Sequence, residues 1–469
     1  MKLTCVGECI TECDVNCGTS VAEALRILGA ETDAPCGGNG KCGKCRVLCE
    51  GTLSPPDDEE KNVLGTLIND GYRLACKAKI CGDATVYVNA DDTCAVQISD
   101  IVLPDGIVCI DLGTTYITAA ERCDGVTNLY TFKNPQSVYG ADVISRISSA
   151  ENHLAEMSAC VKKRLYAVIP EFEKSKKIIS ANTVMQLIYA GKDPSPLGHY
   201  PYESPDLFGY SSDNTFYMPC VGGFVGGDVI SGLFYALETG KIKEKTALYI
   251  DIGTNGETVL IHNGRMISCA AAAGPCFEGA GIECGMRASD GAVYDVQIND
   301  VKLSVGVIGN TKAVGICGSG VVSLVSYLLK TGELAPSGLL EKERFDICDG
   351  VYITRKDIRT VQGAKAAIAA GISVLCKRAG IGTEDIEAVY IAGAFGEHLD
   401  VIAAKRIGLL PDAPCKTLGN CSLYGACLSA QSGEMFGKIC DFSQKIEYIE
   451  LSDAPEFTDE YINASFFQG

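Results

Sequence analysis

Histidine is scarce in this chain: four residues in 469, His153, His199, His262 and His398, scattered and without a HExxH or paired arrangement. That excludes an imidazole-built metal centre, so any metal here rests on sulfur. Basic charge is also in short supply. The 40 Lys and Arg stand against 59 Asp and Glu, for a net charge of −19, which leaves no basic stripe to neutralise phosphates; no nucleic acid is expected as a partner. Long apolar runs are missing too. No stretch reaches the ~18 apolar residues that mark a spanning helix, and MKLTCVGECITECD carries acids where a signal peptide carries an apolar run. The expectation is a cytoplasmic protein with no membrane contact.

What is abundant is cysteine, 25 residues. In a large intracellular chain these are not a disulfide framework, since such frameworks belong mostly to small secreted domains. The length predicts two or three domains, and a 47% hydrophobic content allows each its own core.

The first ninety or so residues predict a β-grasp. A hairpin breaks at Gly7, a helix capped by Thr19 or Ser20 buries Val21, Ala24, Leu25 and Leu28, RVLCEG reads as a strand, SPPDDEEKNVLGTLI starts a helix, and CGDATVYVNA closes the order as a strand. Between them lies CGGNGKCGKC, with C-x5-C-x2-C spacing at Cys36, Cys42 and Cys45, and Cys76 follows in GYRLACKAKIC. Four thiolates hold a 2Fe-2S cluster, and glycines let backbone N–H groups turn toward its sulfides. A zinc ribbon would need a second CxxC, and a redox CxxC pair would need a βαβ context. Cys49 and Cys81 compete as ligands, but the Arg-Leu-Ala-Cys context favours Cys76. Cys5, Cys9, Cys13 and Cys17 recur every four residues, yet a hairpin spreads them over two strands, which argues against convergence on one metal.

After a connector at 93–106, IVCIDLGTTYITAAE (107–121) and ALYIDIGTNGETVLI (247–261) are the same unit twice, predicting a duplicated domain. Each is a strand ending in Asp-x-Gly-Thr, whose tight turn presents N–H groups and hydroxyls to phosphate oxygens. Two facing loops can grip a nucleotide's phosphates: Gly113, Thr114 and Thr115 on one side, Gly253, Thr254 and Asn255 on the other. Asp111 and Asp251 then hold Mg2+ through its waters. Asn255 and Glu257 either position water or metal or are exposed polar residues. A third element, AVYIAGAFGEHLD (388–400), is a strand, a turn of Gly393, Ala394, Phe395 and Gly396, and a helix start, where glycines let an adenine approach the backbone. GGFVGGD (222–228) is a hinge or a nucleotide contact or, the favoured reading, a structural glycine turn; GICGSGVVSLV (315–325) begins a helix whose glycines serve close packing on another helix, and GPCFEGAGIECGM (274–286) is a segment able to lend Gly274 or Glu278 to the nucleotide. The tail from Gln444 predicts a strand and a helix, with the last residues left disordered.

These motifs resemble the ASKHA superfamily of acetate and sugar kinases and actin, whose two RNase-H-like lobes close on ATP. With a ferredoxin module in front, the whole chain looks like the reductive activators of corrinoid proteins. The resemblance implies an α/β multidomain fold, an N-terminal β-grasp 2Fe-2S ferredoxin-like domain (1–92), a linker (93–106), and a duplicated RNase-H-like ASKHA domain with lobes at 107–245 and 246–469. It implies a 2Fe-2S cluster, ATP and Mg2+ as cofactors. The implied partners are a corrinoid protein of a methyltransferase system and an external electron donor, with a homodimer left open. The implied reaction is ATP-dependent reduction of Co(II) to Co(I). A plant-type cluster lies at about −400 mV, and driving one electron a further ~200–300 mV uphill costs roughly 5–7 kcal/mol. Some members carry a longer linker and a middle domain that the 93–106 connector does not provide. The rival readings are an activator of another low-potential enzyme such as a 2-hydroxyacyl-CoA dehydratase, or an ASKHA kinase with a sensory cluster.

Overall fold

The computed structural model describes residues 1–6, 10–28, 40, 45–87, 94–98, 103–123, 125–140, 142–299, 302–348 and 350–468. Cys9, Cys36 and Cys42 lie outside the described residues. The chain divides into two compact units, one of Met1–Ile179, Val184–Asp206 and Ser211–Phe216, the other of Ser180–Thr183, Leu207–Tyr210 and Tyr217–Gly469.

The first unit opens with the antiparallel hairpin of β1 (Lys2–Val6) and β2 (Ile10–Asp14). The Ser20 hydroxyl accepts from the Glu23 N–H and starts α1 (Val21–Ile27), whose apolar stripe of Val21, Ala24 and Leu25 is buried. There follow β3 (Arg46–Leu53), then α2 (Asp58–Leu64), begun by a reciprocal capping box of Asp57 and Glu60, then β4 (Tyr72–Leu74) and β5 (Ile80–Tyr87). The strands order as β2-β1-β5-β3-β4, with β1 and β5 parallel. This is the expected β-grasp, with β4 an extra short strand the sequence pattern does not separate.

The connector is more than a tether. Cys94–Ile98 forms β6, which pairs antiparallel with β9 (Val126–Lys133). The sheet it joins contains β7 (Ile107–Leu112), β8 (Tyr116–Cys123), β10 (Lys176–Ser180), β11 (Ser211–Ser212) and β12 (Thr215–Tyr217), in the order β11-β12-β10-β7-β8-β9-β6. Helices α3 (Val143–Val168) and α4 (Thr183–Ala190) flank β10 in sequence. A strand added at the β9 edge satisfies ladder groups that would otherwise offer a template for pairing.

The second unit takes in α5 (Gly227–Glu238), although 107–245 reads as one lobe in the sequence. Its main sheet holds β13 (Thr246–Ile252), β14 (Gly256–His262) and β15 (Arg265–Ala271). A small sheet of β16 (Ala292–Asn299), β17 (Lys302–Val307) and β18 (Gly315–Ile316) is inserted before α6 (Gly318–Thr331). The hairpin of β19 (Arg344–Cys348) and β20 (Val351–Thr354) leads into α7 (Arg355–Ala379). Next come β21 (Ala388–Ala392), α8 (Gly393–Glu397), α9 (Val401–Arg406), β22 (Cys415–Gly419), α10 (Cys421–Ser429) and α11 (Gly433–Ser443). The tail forms the expected strand and helix, β23 (Ile446–Tyr448) and α12 (Phe457–Ala464). Beyond them Phe467 is buried rather than disordered, and its N–H donates to the Pro336 carbonyl. The main sheet runs β22-β21-β13-β14-β15-β23. Set beside β12-β10-β7-β8-β9, the run β22-β21-β13-β14-β15 has the same succession of fifth, fourth, first, second and third strands, which is the duplication the paired motifs predict. Among the described residues no helix is long and apolar enough to cross a membrane.

Candidate functional site

Two of the expected cluster ligands meet. Cys45 immediately precedes β3, and its carbonyl accepts from the Ala75 N–H at 2.8 Å, while the Ala75 carbonyl accepts from the Ala22 N–H in α1. This pins the turn after β4 against the end of the glycine-rich loop. The turn closes on itself through the Lys77 and Ala78 N–H groups, which donate to the Leu74 carbonyl. The Cys45 thiol consequently donates to the Cys76 sulfur at 3.2 Å. That separation is far beyond the ~2.05 Å of a disulfide; two thiolates on one tetrahedral metal with ~2.3 Å bonds stand roughly 3.8 Å apart. A half-ångström opening therefore accommodates a metal between them, and the pair fits one iron of a cluster. The same contact stabilises the Cys45 thiolate, which then accepts from the Cys76 thiol, and so lowers Cys45 to about 7 against the opposing effect of burial. Gly40 is the described residue within the glycine-rich stretch; its φ is +74°, and a Cβ there would lie 2.3 Å from Cε of Lys77. Gly40 thus lies against the side chain of the residue that follows Cys76.

The competing thiols are placed elsewhere. Cys49 is buried, and that burial pushes it up to about 12, so it keeps its proton. Cys81 is exposed, with its thiol directed to the Lys79 carbonyl. Cys5 is buried in the domain core while Cys17 is exposed. Among the described residues no group of three or more His, Cys, Asp or Glu side chains is arranged to hold a metal ion.

The first Asp-x-Gly-Thr loop joins β7 to β8. A Cβ on Gly113 would lie 2.5 Å from the Tyr116 carbonyl, so the turn requires glycine. Its carbonyls are anchored inward: Gly113 accepts from the Asn134 amide at 2.7 Å, Thr114 from the Arg146 guanidinium at 2.5 Å, and Thr115 from the Asn134 N–H at 2.9 Å. In a trans peptide the carbonyl and the following N–H point in opposite directions. The Thr114 and Thr115 N–H groups therefore point away from these anchors, as a phosphate cradle needs. Arg146, with 1% of its surface exposed, also donates to the Gly140 carbonyl and Gln136. The sequence reading missed Asn134 and Arg146; Asn-Pro at a strand end is their faint local signal. Asp111 stands opposite Thr118 in the ladder.

The second loop joins β13 to β14. Asp251 pairs in register with Glu257 on one side and with Ala392 on the other. A Cβ on Gly393, where φ is +77°, would lie 2.4 Å from its carboxylate. Two expected site elements, the loop and the late glycine turn, are thereby in contact. The Asn255 side chain weakly favours the charged form of the Glu257 carboxyl. Burial first, then the Asp228 and Asp251 charges, pushes that carboxyl well above the usual range. The Thr254 N–H and hydroxyl both donate to Glu278, at 2.9 and 3.0 Å. Gly274 has φ +76° and nothing within 4 Å of its Cβ direction, so the backbone there is open to a ligand. An open backbone beside a Gly-Thr turn fits a phosphate-bearing ligand.

Other glycines have packing reasons. The turn at Gly393 to Gly396 is the start of α8 itself; a Cβ on Gly396 would lie 2.5 Å from Ile391, and Phe395 packs on Phe277 with ring centroids 5.7 Å apart. Gly318 abuts the Phe277 carbonyl and Gly320 the Val293 carbonyl, the close contact expected of GICGSG, made to a turn and a strand rather than a helix. In GGFVGGD, Gly222 faces the Tyr448 ring and Gly226 the backbone at Asn182.

A ferredoxin-type thiol pair ahead of a twice-built strand-loop-strand unit defines the class: a 2Fe-2S domain joined to an ASKHA fold. Family models agree region by region, a 2Fe-2S iron-sulfur cluster binding domain over 7–81, the RACo middle region over 106–238, and the C-terminal domain of RACo, the ASKHA domain, over 245–469. The chain is 31% identical over 422 residues to the corrinoid activation enzyme RamQ of Eubacterium limosum, covering 77% of this chain and 70% of the relative. It is 29% identical over 291 residues to the Co(II) methylated amine-specific corrinoid protein reductase of Methanosarcina barkeri, covering 56% of this chain and 53% of the relative. The solved structure of a reductive activator for corrinoid, iron-sulfur protein superposes with a TM-score of 0.64 at 25% identity, over 100% of this chain and 98% of that one. The chain belongs to the family of reductive activators of corrinoid proteins, ASKHA activases with an N-terminal 2Fe-2S domain. One expectation is corrected: a middle region is present, at 106–238, in what reads in the sequence as a first ASKHA lobe.

Proposed function

We propose that this chain returns the cobalt of a corrinoid protein of a methyltransferase system from Co(II) to Co(I), one electron per event, with ATP as the driving ligand. The observation that carries the reading is the order of parts on one chain: the Cys45 and Cys76 pair in the β-grasp domain, then the two Asp-x-Gly-Thr loops, in a chain matched across all three regions by the activator family. A 2Fe-2S cluster, when bound, supplies a one-electron store at low potential. Cys36, Cys42, Cys45 and Cys76 hold it in this proposal, and the 74–78 turn fixes the last of them. ATP supplies the free energy of binding and hydrolysis, which acts only through a difference in affinity between two states of the protein. Thr114, Thr115, Thr254 and Asn255 are proposed to contact phosphate, Gly393, Ala394, Phe395 and Gly396 to line the nucleotide's approach, and Asp111 and Asp251 to hold Mg2+ through water. The electron comes from an external low-potential donor.

The test is an anaerobic assay with titanium(III)-reduced protein and Co(II) corrinoid proteins, with and without ATP, following the Co(I) absorption. Co(I) accumulating only with ATP is the expected result. Equal Co(I) in both arms overturns the coupling, and none with any corrinoid protein overturns the substrate. The dehydratase-activator reading is disfavoured by the ferredoxin-type domain, and electron paramagnetic resonance separates a two-iron from a four-iron centre.

A further inference from the structure

Three observations on the second phosphate-type loop converge on Glu278. The Thr254 N–H and hydroxyl both donate to the same oxygen, Oε1 of Glu278. A Cβ built on Gly253 would lie 3.3 Å from that oxygen, so the carboxylate lies over the loop backbone itself. The turn carrying Glu278, Pro275–Glu278, is fixed from behind. Phe277 packs on Phe395, the Phe277 carbonyl would be 1.8 Å from a Cβ on Gly318, and Gly279, at φ +78°, would meet the Met286 carbonyl at 1.9 Å. Glu278 is thus held at the loop by a packed turn, while remaining only half-buried.

The contrast with the first loop gives this arrangement its meaning. There, Asn134 and Arg146 bind carbonyls and direct the N–H groups of Thr114 and Thr115 the other way. In the second loop the donors of Thr254 go to an anionic oxygen supplied by the chain. Carboxylate and phosphate oxygens draw the same donors through charge-assisted hydrogen bonds. Two anions do not share one N–H and one hydroxyl at bonding distance, because each repels the other.

We infer, on the strength of the nucleotide reading above, that Glu278 is the resident acceptor of the second loop. It holds Thr254 in the nucleotide-free protein, and a phosphate oxygen of the incoming nucleotide takes its place. Glu278 is then a positioning residue that sets nucleotide affinity by competition.

The experiment is calorimetric titration of the full-length, cluster-loaded protein with MgATP, comparing wild type, Glu278→Gln, Glu278→Ala, Thr254→Val and the double variant Thr254→Val/Glu278→Ala. The visible spectrum and thermal midpoint serve as fold controls. Both Glu278 variants are expected to bind about tenfold more tightly, the equivalent of one charge-assisted hydrogen bond no longer competing. Thr254→Val is expected to bind more weakly, and the gain from Glu278→Ala to be largely lost in its background, which a merely structural role would not produce. Should Glu278→Ala fail to fold, Glu278→Gln, which keeps the volume and removes the charge, carries the same expectation. Equal or weaker binding by folded Glu278 variants, with wild type binding normally, overturns this inference alone. Absence of MgATP binding by wild type overturns the inference and the nucleotide reading together.

Discussion

A thiol ligates metal as the thiolate, so each cysteine of the N-terminal domain poses the question whether its surroundings let the proton go. Cys45 is lowered to about 7 by its bond with Cys76, whereas burial raises Cys49 to about 12. Cys76→Ser is accordingly expected to lose the cluster, and Cys49→Ser and Cys81→Ser to keep about two irons per chain. Iron and sulfide analysis with the visible spectrum checks this; a Cys49→Ser protein without iron would reverse the ligand choice. Glu257 carries a second residue-scale consequence. Its carboxyl is raised in the fold by burial and by Asp228 and Asp251, from an ordinary value of 4.5. A raised folded value means that stability is fully present below the unfolded value and is lost as pH rises toward the folded one. The loss is up to about 1.4 kcal/mol per pH unit in that window. Glu257→Gln removes this loss: its thermal midpoint should match wild type near pH 4.5 and exceed it increasingly above. Parallel midpoints across pH would show that Glu257 is ionised in the fold.

Elements place these residues, and here the limits of sequence reading become physical. The two Asp-x-Gly-Thr hairpins and the strand before Gly393 are legible because their signals are local: turn glycines and strand alternation within a few positions. Pairing β6 with β9 is not legible, since it turns on which distant edge needs covering. The Asn134 and Arg146 anchors are hidden for the same reason, and Arg146 reads in sequence as one more polar residue on a helix. Gly396 is ambiguous in sequence, because a glycine required by packing on Ile391 looks the same as one that admits a ligand. The turn that presents Cys76 depends on another long-range pair. Glu60, inside α2, accepts from Nε of Arg73 at 3.0 Å, from Nη2 at 2.8 Å and from the Leu74 N–H at 3.0 Å, almost wholly buried. Removing one partner of such a pair costs about 3–5 kcal/mol, because the other charge is left without compensation. Glu60→Ala should therefore loosen the 73–78 segment and release iron to a chelator faster than wild type. An apolar replacement of both, Glu60→Leu with Arg73→Met, should recover much of the loss. Urea unfolding and chelation kinetics test both expectations, and an unaltered chelation rate in Glu60→Ala would detach the pair from the site.

For the whole molecule, the question is why a one-electron carrier and a nucleotide fold share one chain. A covalent link makes the meeting of the two functions intramolecular, so nucleotide state and electron store meet the same corrinoid protein in one encounter. In the chain the middle region, 106–238, follows the 2Fe-2S region and precedes the ASKHA region, where a bare linker would have offered reach alone. Coupling further requires that nucleotide change which state of the chain is favoured. Asp251 is the residue where that requirement is most exposed. It ends β13, stands in register with Glu257 and Ala392, and abuts Gly393. Losing its charge removes an electrostatic contact at the β13–β14 loop and leaves the sequence of the β-grasp domain unaltered. Asp251→Asn is expected to retain the cluster spectrum and to lose ATP-dependent Co(I) formation by on the order of 100-fold, the scale of a lost preorganised contact. Undiminished reduction in a variant that no longer hydrolyses ATP would mean that the electron reaches cobalt without help from the nucleotide, and the reason for joining these folds would have to be sought in binding alone.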